Sequence, residues 1–163
     1  MTATATAKVR VSPPPRHLMR MINPLVRRIL TARLLGSRIT KIGLLRFTGR
    51  RTNRLLCVPA GLHLIDGVPM AFTCRTWRLN FAGGAPVTVI HRAQVRRGRG
   101  VLVDATPEQL GSALRQALDN GASPFDLGLK VPRSYHPTVA DLGSVNLSMI
   151  RFELDPPTVR SRT

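Results

Sequence analysis

The sequence predicts a mainly β, α+β fold: a split antiparallel β-barrel of about six strands, with a basic N-terminal helix and one helix after Thr106. Three observations carry that expectation. From about residue 44 onward, short runs of apolar and β-branched residues alternate with Gly, Pro, Asn and Asp turns. Helical spacing is confined to two stretches, residues 16–35 and 106–118. The 163 residues suffice for about one domain with a sizeable core.

Each element has a local reason. Residues 1–15 are rich in Thr and Ala and end in Pro13, Pro14 and Pro15, so a flexible tail closing in a short extended spacer is expected. Leu18, Met21, Ile22, Leu25, Ile29 and Leu30 then recur at three- and four-residue spacing, a helix that Asn23 and Pro24 break or restart. Leu44, Leu45 and Phe47 lead into a turn, and Leu55, Leu56 and Val58 lead out of it, which makes a hairpin. A strand to about Ile65, a turn at Asp66 and Gly67, and a strand over 69–73 follow. Residues 74–81 read as a short helix or loop closed by Gly83 and Gly84.

Two further strands are expected at 87–90 and 101–103. An intermediate one lies near 93–96, with Gly98 and Gly100 at bends or bulges. Thr106, Pro107 and Gln109 form a helix start: Thr caps, Pro fills the first turn and Gln completes a capping box. That helix ends near Asn120 and Gly121, residues 122–145 are irregular, and 145–154 alternates into a last strand. The domain is expected to span 16–155, with a C-terminal tail over 156–163.

Charge divides the chain unevenly. Its formal net charge is +17, and the first acidic residue is Asp66, preceded by thirteen unopposed Lys and Arg. Such asymmetry calls for an anionic partner: nucleic acid, anionic lipid or an acidic coenzyme. The helix at 16–35 carries Arg20, Arg27, Arg28 and Arg33. It reads either as an amphipathic helix resting on an anionic membrane or as one packed on its own barrel with arginines in water. No apolar run reaches the ~20 residues of a span, and the N-terminus lacks the apolar centre of a secretory signal. A cytoplasmic protein is expected, peripheral on the inner face of the cell membrane. Cys57 and Cys74 match no zinc spacing and read as reduced thiols.

The most informative stretch is the hairpin over residues 44–59. Its tip holds Arg50, Arg51 and Arg54 with no acid nearby. Arginine is a planar, permanent cation that grips phosphate or carboxylate bidentately, and a tight turn exposes N–H groups to an anion. A solvated basic tip is the plainer reading of the same residues. The segment Arg96, Arg97, Gly98, Arg99, Gly100 suggests RNA binding, but without interleaved aromatics a strand with solvated charges accounts for it better, and nucleic acid is not the expected partner. His17, His63, His91 and His136 are scattered, at the surface or at strand ends, and no metal site is expected. Tyr135 reads either as a proton donor to a reduced substrate or as a packed loop anchor.

Taken in order, the Thr-Gly-Arg-Arg-Thr-x-Arg turn, the Asp66-Gly67 turn, the Trp77-x-x-Asn80 step and the Pro86-Val87 strand resemble the deazaflavin-dependent nitroreductase family of actinobacteria. That family lies among the flavin and deazaflavin split-barrel oxidoreductases. The resemblance covers about 39–103. It implies hydride transfer from a reduced deazaflavin coenzyme of the factor 420 type, with flavin mononucleotide as the alternative, to a quinone, enone or nitroaromatic acceptor. It also implies site residues. Arg50, Arg51, Thr52 and Arg54 would hold the coenzyme phosphate, and Pro59, Thr73 and Cys74 would lie along the ring. Arg75 would replace a loop cation, while Trp77 and Asn80 support the far wall. Between Thr73 and Trp77 the family carries a longer glycine-containing loop. Here only Cys74, Arg75 and Thr76 stand, which also fits an open groove for an apolar ligand. A cofactor-poor, membrane-associated, lipid-handling barrel is the alternative function.

Overall fold

A computed structural model describes residues 9–12 and 41–157. The helix expected over 16–35 and the C-terminal tail from residue 158 lie outside them. The described residues form a mainly β fold in which one curled antiparallel sheet is the principal layer. Its strands are β2 (Ile42–Thr48), β3 (Leu55–Gly61), β4 (His63–Ile65), β5 (Val68–Thr73), β6 (Ala85–His91), β7 (Gln94–Val103) and β9 (Ser148–Leu154). A separate pair joins β1 (Arg10–Val11) to β8 (Leu129–Lys130). Helix α1 (Pro107–Asp119), the short α2 (Val139–Gly143) and two 3₁₀ helices, Thr76–Phe81 and Phe125–Leu127, complete the regular structure of the described residues.

Strand order dictates the curl. The seven strands run β3-β2-β6-β7-β9-β5-β4, so β3 and β4 are the two edges. In a flat sheet those edges would stand six spacings apart, roughly 29 Å at about 4.8 Å each. Only Leu62 separates Gly61 from His63, and one intervening residue reaches about 7 Å. The sheet therefore rolls until its edges meet. Closure is incomplete. Strand β3 pairs only with β2, and β4 pairs with β5 only as far as Met70, leaving residues 71–73 of β5 unpaired toward β3. That seam is the split.

Alternation sorts side chains into two cores. Leu45, Phe47, Val87, Val89, Ile150 and Phe152 point inward and are buried with Phe81. On the outer face of β4, β5 and β9, Ile65 and Met149 pack against Leu110, Leu114, Ala117 and Leu142 of the helices. Helix α1 starts as its sequence demands: the Gln109 N–H donates to Thr106 Oγ1 at 3.2 Å and the Thr106 N–H to Gln109 Oε1 at 2.9 Å. Gly111 and Gly143 let the two helices touch, since a Cβ at Gly111 would stand 2.1 Å from Val139 O.

Several expectations are corrected in detail. Strand β7 runs unbroken, with Gly98 opposite Leu154 and Gly100 opposite Phe152. Neither glycine makes a bulge in the ladder. A Cβ at Gly98 would lie 2.0 Å from Glu153 O, and one at Gly100 2.6 Å from the Phe81 ring, so both make room for a neighbour. The strand expected near 93–96 begins at Gln94 and is continuous with the one expected at 101–103, and a turn at Arg92 and Ala93, with φ of 50° and 60°, precedes it. The segment read as a flexible tail contains β1: Val9 is buried and the Ser12 N–H donates to Gly128 O at 2.8 Å. The irregular stretch 122–145 holds α2, whose capping box joins Thr138 and Asp141.

Candidate functional site

The arginine turn closes the β2–β3 hairpin. The Gly49 N–H donates to Arg54 O and the Asn53 N–H to Gly49 O, both at 2.8 Å. Asn53 takes a left-handed φ of 53°, which asparagine tolerates. A Cβ at position 49 would meet Thr52 Oγ1 at 2.8 Å, which explains the glycine. Residues 50–54 are all exposed. The salt bridges among the described residues are Lys41–Asp126, Arg115–Asp119 and Arg151–Glu153, so no carboxylate neutralises Arg50, Arg51 or Arg54.

A second segment meets this turn. Residues Thr76–Phe81 form a 3₁₀ helix between β5 and β6. Asn80 Oδ1 accepts from the Arg50 N–H at 2.7 Å, while Asn80 Nδ2 donates to Trp77 O at 2.8 Å. Asn80 thus ties the arginine turn to the tryptophan segment. Trp77 is half-buried, its ring 6.1 Å from both Phe47 and Phe81, so the aromatic trio plugs this end of the barrel. Buried Thr73 ends β5 and its hydroxyl accepts from the Arg75 N–H at 3.0 Å. Arg78 binds the carbonyls of Cys74 (3.2 Å) and Arg75 (3.1 Å), fixing the short loop.

Of the sequence-derived candidates, Arg50, Arg51, Thr52, Arg54, Thr73, Cys74, Arg75, Trp77 and Asn80 therefore share one end of the barrel. Pro59 does not. It pairs with Leu44 on the outer face, about 14 Å along β3 from the turn. Tyr135 packs on the helical layer and donates to Asp141 Oδ2 at 2.5 Å. That hydrogen bond to a carboxylate raises the phenol pKa above its ordinary value and ties Tyr135 to α2.

The opposite end holds a cavity of about 480 Å³ that the sequence did not reveal. Leu62, Val89 and Leu154 line its depth, and Arg92, Gln94 and Arg96 stand on the β6–β7 hairpin beside it. Lys41 and His63 also line it. Lys41 Nζ binds Asp126 Oδ2 at 2.9 Å and Gly121 O at 3.0 Å. Burial disfavours the Asp126 charge, but Ser123 and Lys41 outweigh it and hold that carboxyl below its usual range. His63 is buried, its ring 5.8 Å from Phe72, and burial pushes its pKa down despite Asp126. No group of three or more His, Cys, Asp and Glu is placed to hold a metal among the described residues. None of their helices is long and apolar enough to cross a membrane.

No family model matches the chain, and no curated protein matches it. Among solved structures it is similar to ChuZ of Campylobacter jejuni, at 7% identity and a TM-score of 0.41 over 88% of this chain and 55% of that one. This chain thus spans about half of the ChuZ chain. It is also similar to a proposed 5-nitroimidazole antibiotic resistance protein of Bacteroides thetaiotaomicron, at 9% identity and a TM-score of 0.43, over 96% of this chain and 93% of that one. Likenesses this distant carry neither residues nor activity across.

Proposed function

We propose that this chain is an oxidoreductase whose arginine turn holds the phosphate-bearing tail of a reduced deazaflavin coenzyme, passing a hydride to a small electrophilic acceptor such as a quinone, enone or nitroaromatic compound. The observation that carries the reading is the Arg50–Asn80 hydrogen bond, which sets three uncompensated arginines beside the Trp77 segment. The residues fit an acidic tail: three arginines and Thr52 stand on one exposed turn with no competing carboxylate among the described residues. At the same end, the unpaired edges of β3 and β5 offer backbone groups along which a flat ring system could lie. The coenzyme, when bound, supplies the hydride. The chain binds the tail, orients the ring and excludes water with Phe47, Trp77 and Phe81. Flavin mononucleotide carries the same phosphate chemistry and is the alternative ligand.

Fluorescence titration with oxidised deazaflavin and with flavin mononucleotide tests the reading. Saturable binding that is lost when Arg50 and Arg54 are both changed to alanine supports it. Equal loss on changing the exposed Arg97 and Arg133 together would reduce the turn to one part of a general positive field. We also propose that the basic N-terminal third rests on an anionic membrane face, each cation near it contributing about 1 kcal/mol. Equal sedimentation with neutral and anionic vesicles rejects that part.

A further inference from the structure

The cavity at the far end of the barrel is a second binding site, which we propose takes a small amphipathic organic anion: apolar body in the barrel mouth, acid group at Arg92. Its volume of about 480 Å³ falls within the roughly 300–1,000 Å³ typical of small-molecule sites. Leu62, Val89 and Leu154 give it an apolar depth, and its charged side is the β6–β7 hairpin. No carboxylate lines it among the described residues.

The cations around it are not equivalent. Lys41 is held by Asp126 and by Gly121 O, just beyond the end of α1. Arg96 is spent on the end of β9, its Nε donating to Asp155 O at 2.8 Å and Nη2 to Leu154 O at 3.1 Å. Arg92 is exposed at the tip of the turn and makes no hydrogen bond or ion pair among the described residues. Together they leave a mouth of positive potential with one uncommitted guanidinium over an apolar pocket.

This site is separate from the arginine turn. Lys41 borders the cavity and Thr48 borders the turn, seven residues apart along β2, roughly 24 Å at about 3.4 Å per residue. A molecule held in the cavity therefore cannot be the acceptor facing a ring at the turn. The inference stands whatever ligand the turn binds.

The probes are 8-anilinonaphthalene-1-sulfonate and its uncharged counterpart N-phenyl-1-naphthylamine, followed by fluorescence on the whole chain. Arg92→Asn removes the charge while keeping a residue that tolerates the φ of 50°. Leu64, exposed at the mouth, is changed to Glu or to Gln, which differ only in charge. The expected result is one-to-one sulfonate binding that weakens about tenfold, or roughly 1.4 kcal/mol, in Arg92→Asn, and in Leu64→Glu relative to Leu64→Gln. The uncharged probe should not distinguish the members of either pair, and the Arg50/Arg54 double variant should keep its sulfonate affinity. Absence of saturable sulfonate binding would overturn the proposal. So would parallel loss of both probes, or a loss in the Arg50/Arg54 variant as large as in Arg92→Asn.

Discussion

The two ends of this barrel are both basic, yet, Arg92 aside, their cations are employed differently. At the cavity end Lys41 and Arg96 are bound to a carboxylate and to backbone carbonyls, holding the end of α1 and the end of β9 in place. At the turn end Arg50, Arg51 and Arg54 reach into solvent without a carboxylate partner, while the Arg50 backbone, not its charge, makes the structural contact. A guanidinium bound by the protein has part of its hydrogen-bonding capacity taken up and its orientation fixed, and one left open keeps all of it for a ligand. Net charge alone does not separate the two cases.

The largest expected effect breaks this contrast at the turn. Each charge-assisted bond to a coenzyme phosphate is worth about 1.5–3 kcal/mol. Arg50→Ala with Arg54→Ala should therefore weaken coenzyme binding by a hundredfold or more, at about tenfold per 1.4 kcal/mol. Denaturant midpoints should scarcely move, because exposed charges contribute little to folding. Titration of the Arg97/Arg133 double variant, expected to match the parent, provides the comparison.

Arg96→Ala should do the reverse at the other end. Losing two charge-assisted bonds to carbonyls is expected to lower stability by about 1–3 kcal/mol, read by urea unfolding, with coenzyme affinity unchanged. A variant as stable as the parent would mean that Arg96 is not committed to the fold after all.

Asn80→Ala sharpens the comparison where backbone and charge meet. It releases the Arg50 N–H without removing any arginine, and a single neutral bond is worth about 1 kcal/mol. Coenzyme affinity should drop about fivefold, less than in the arginine double variant. A drop as large as in that variant would shift the weight of the site from charge to turn geometry.

The smallest effect concerns pH and belongs to the cavity end. Because burial lowers the His63 pKa below its ordinary 6.5, the unfolded chain binds this proton more readily than the folded one. Stability should thus fall as pH drops below about 6.5, levelling once the folded-state pKa is passed. Urea unfolding of the parent and of His63→Gln at pH 7.5 and 5 checks this. The variant should lose less stability on acidification, and an identical loss would place the proton elsewhere.

Local sequence signals were legible where a few adjacent residues suffice. The β2–β3 hairpin, the Asp66 turn with its φ of 51° and the Thr106 capping box each depend on neighbours in sequence. The Arg92 and Ala93 turn was not legible, because neither residue carries the usual Gly or Asn signature of positive φ. Gly98 and Gly100 carry a related ambiguity. A glycine that frees the chain to bend and one that clears space for Glu153 or Phe81 look alike in sequence.

The sequence by itself determined the alternation that makes a mainly β fold, the helix after Thr106 and the clustering of arginines at one hairpin tip. Only the tertiary structure decided that β3 and β4, neighbours in sequence, are opposite edges of one sheet, and so that the sheet must roll. It also decided the Arg50–Asn80 contact, the outward placement of Pro59, the removal of Tyr135 to the helical layer, and the cavity. The physical reason is range. Turns, caps and alternation are set by a few successive residues, whereas a cavity or a cation's partner depends on strands brought together from distant parts of the chain.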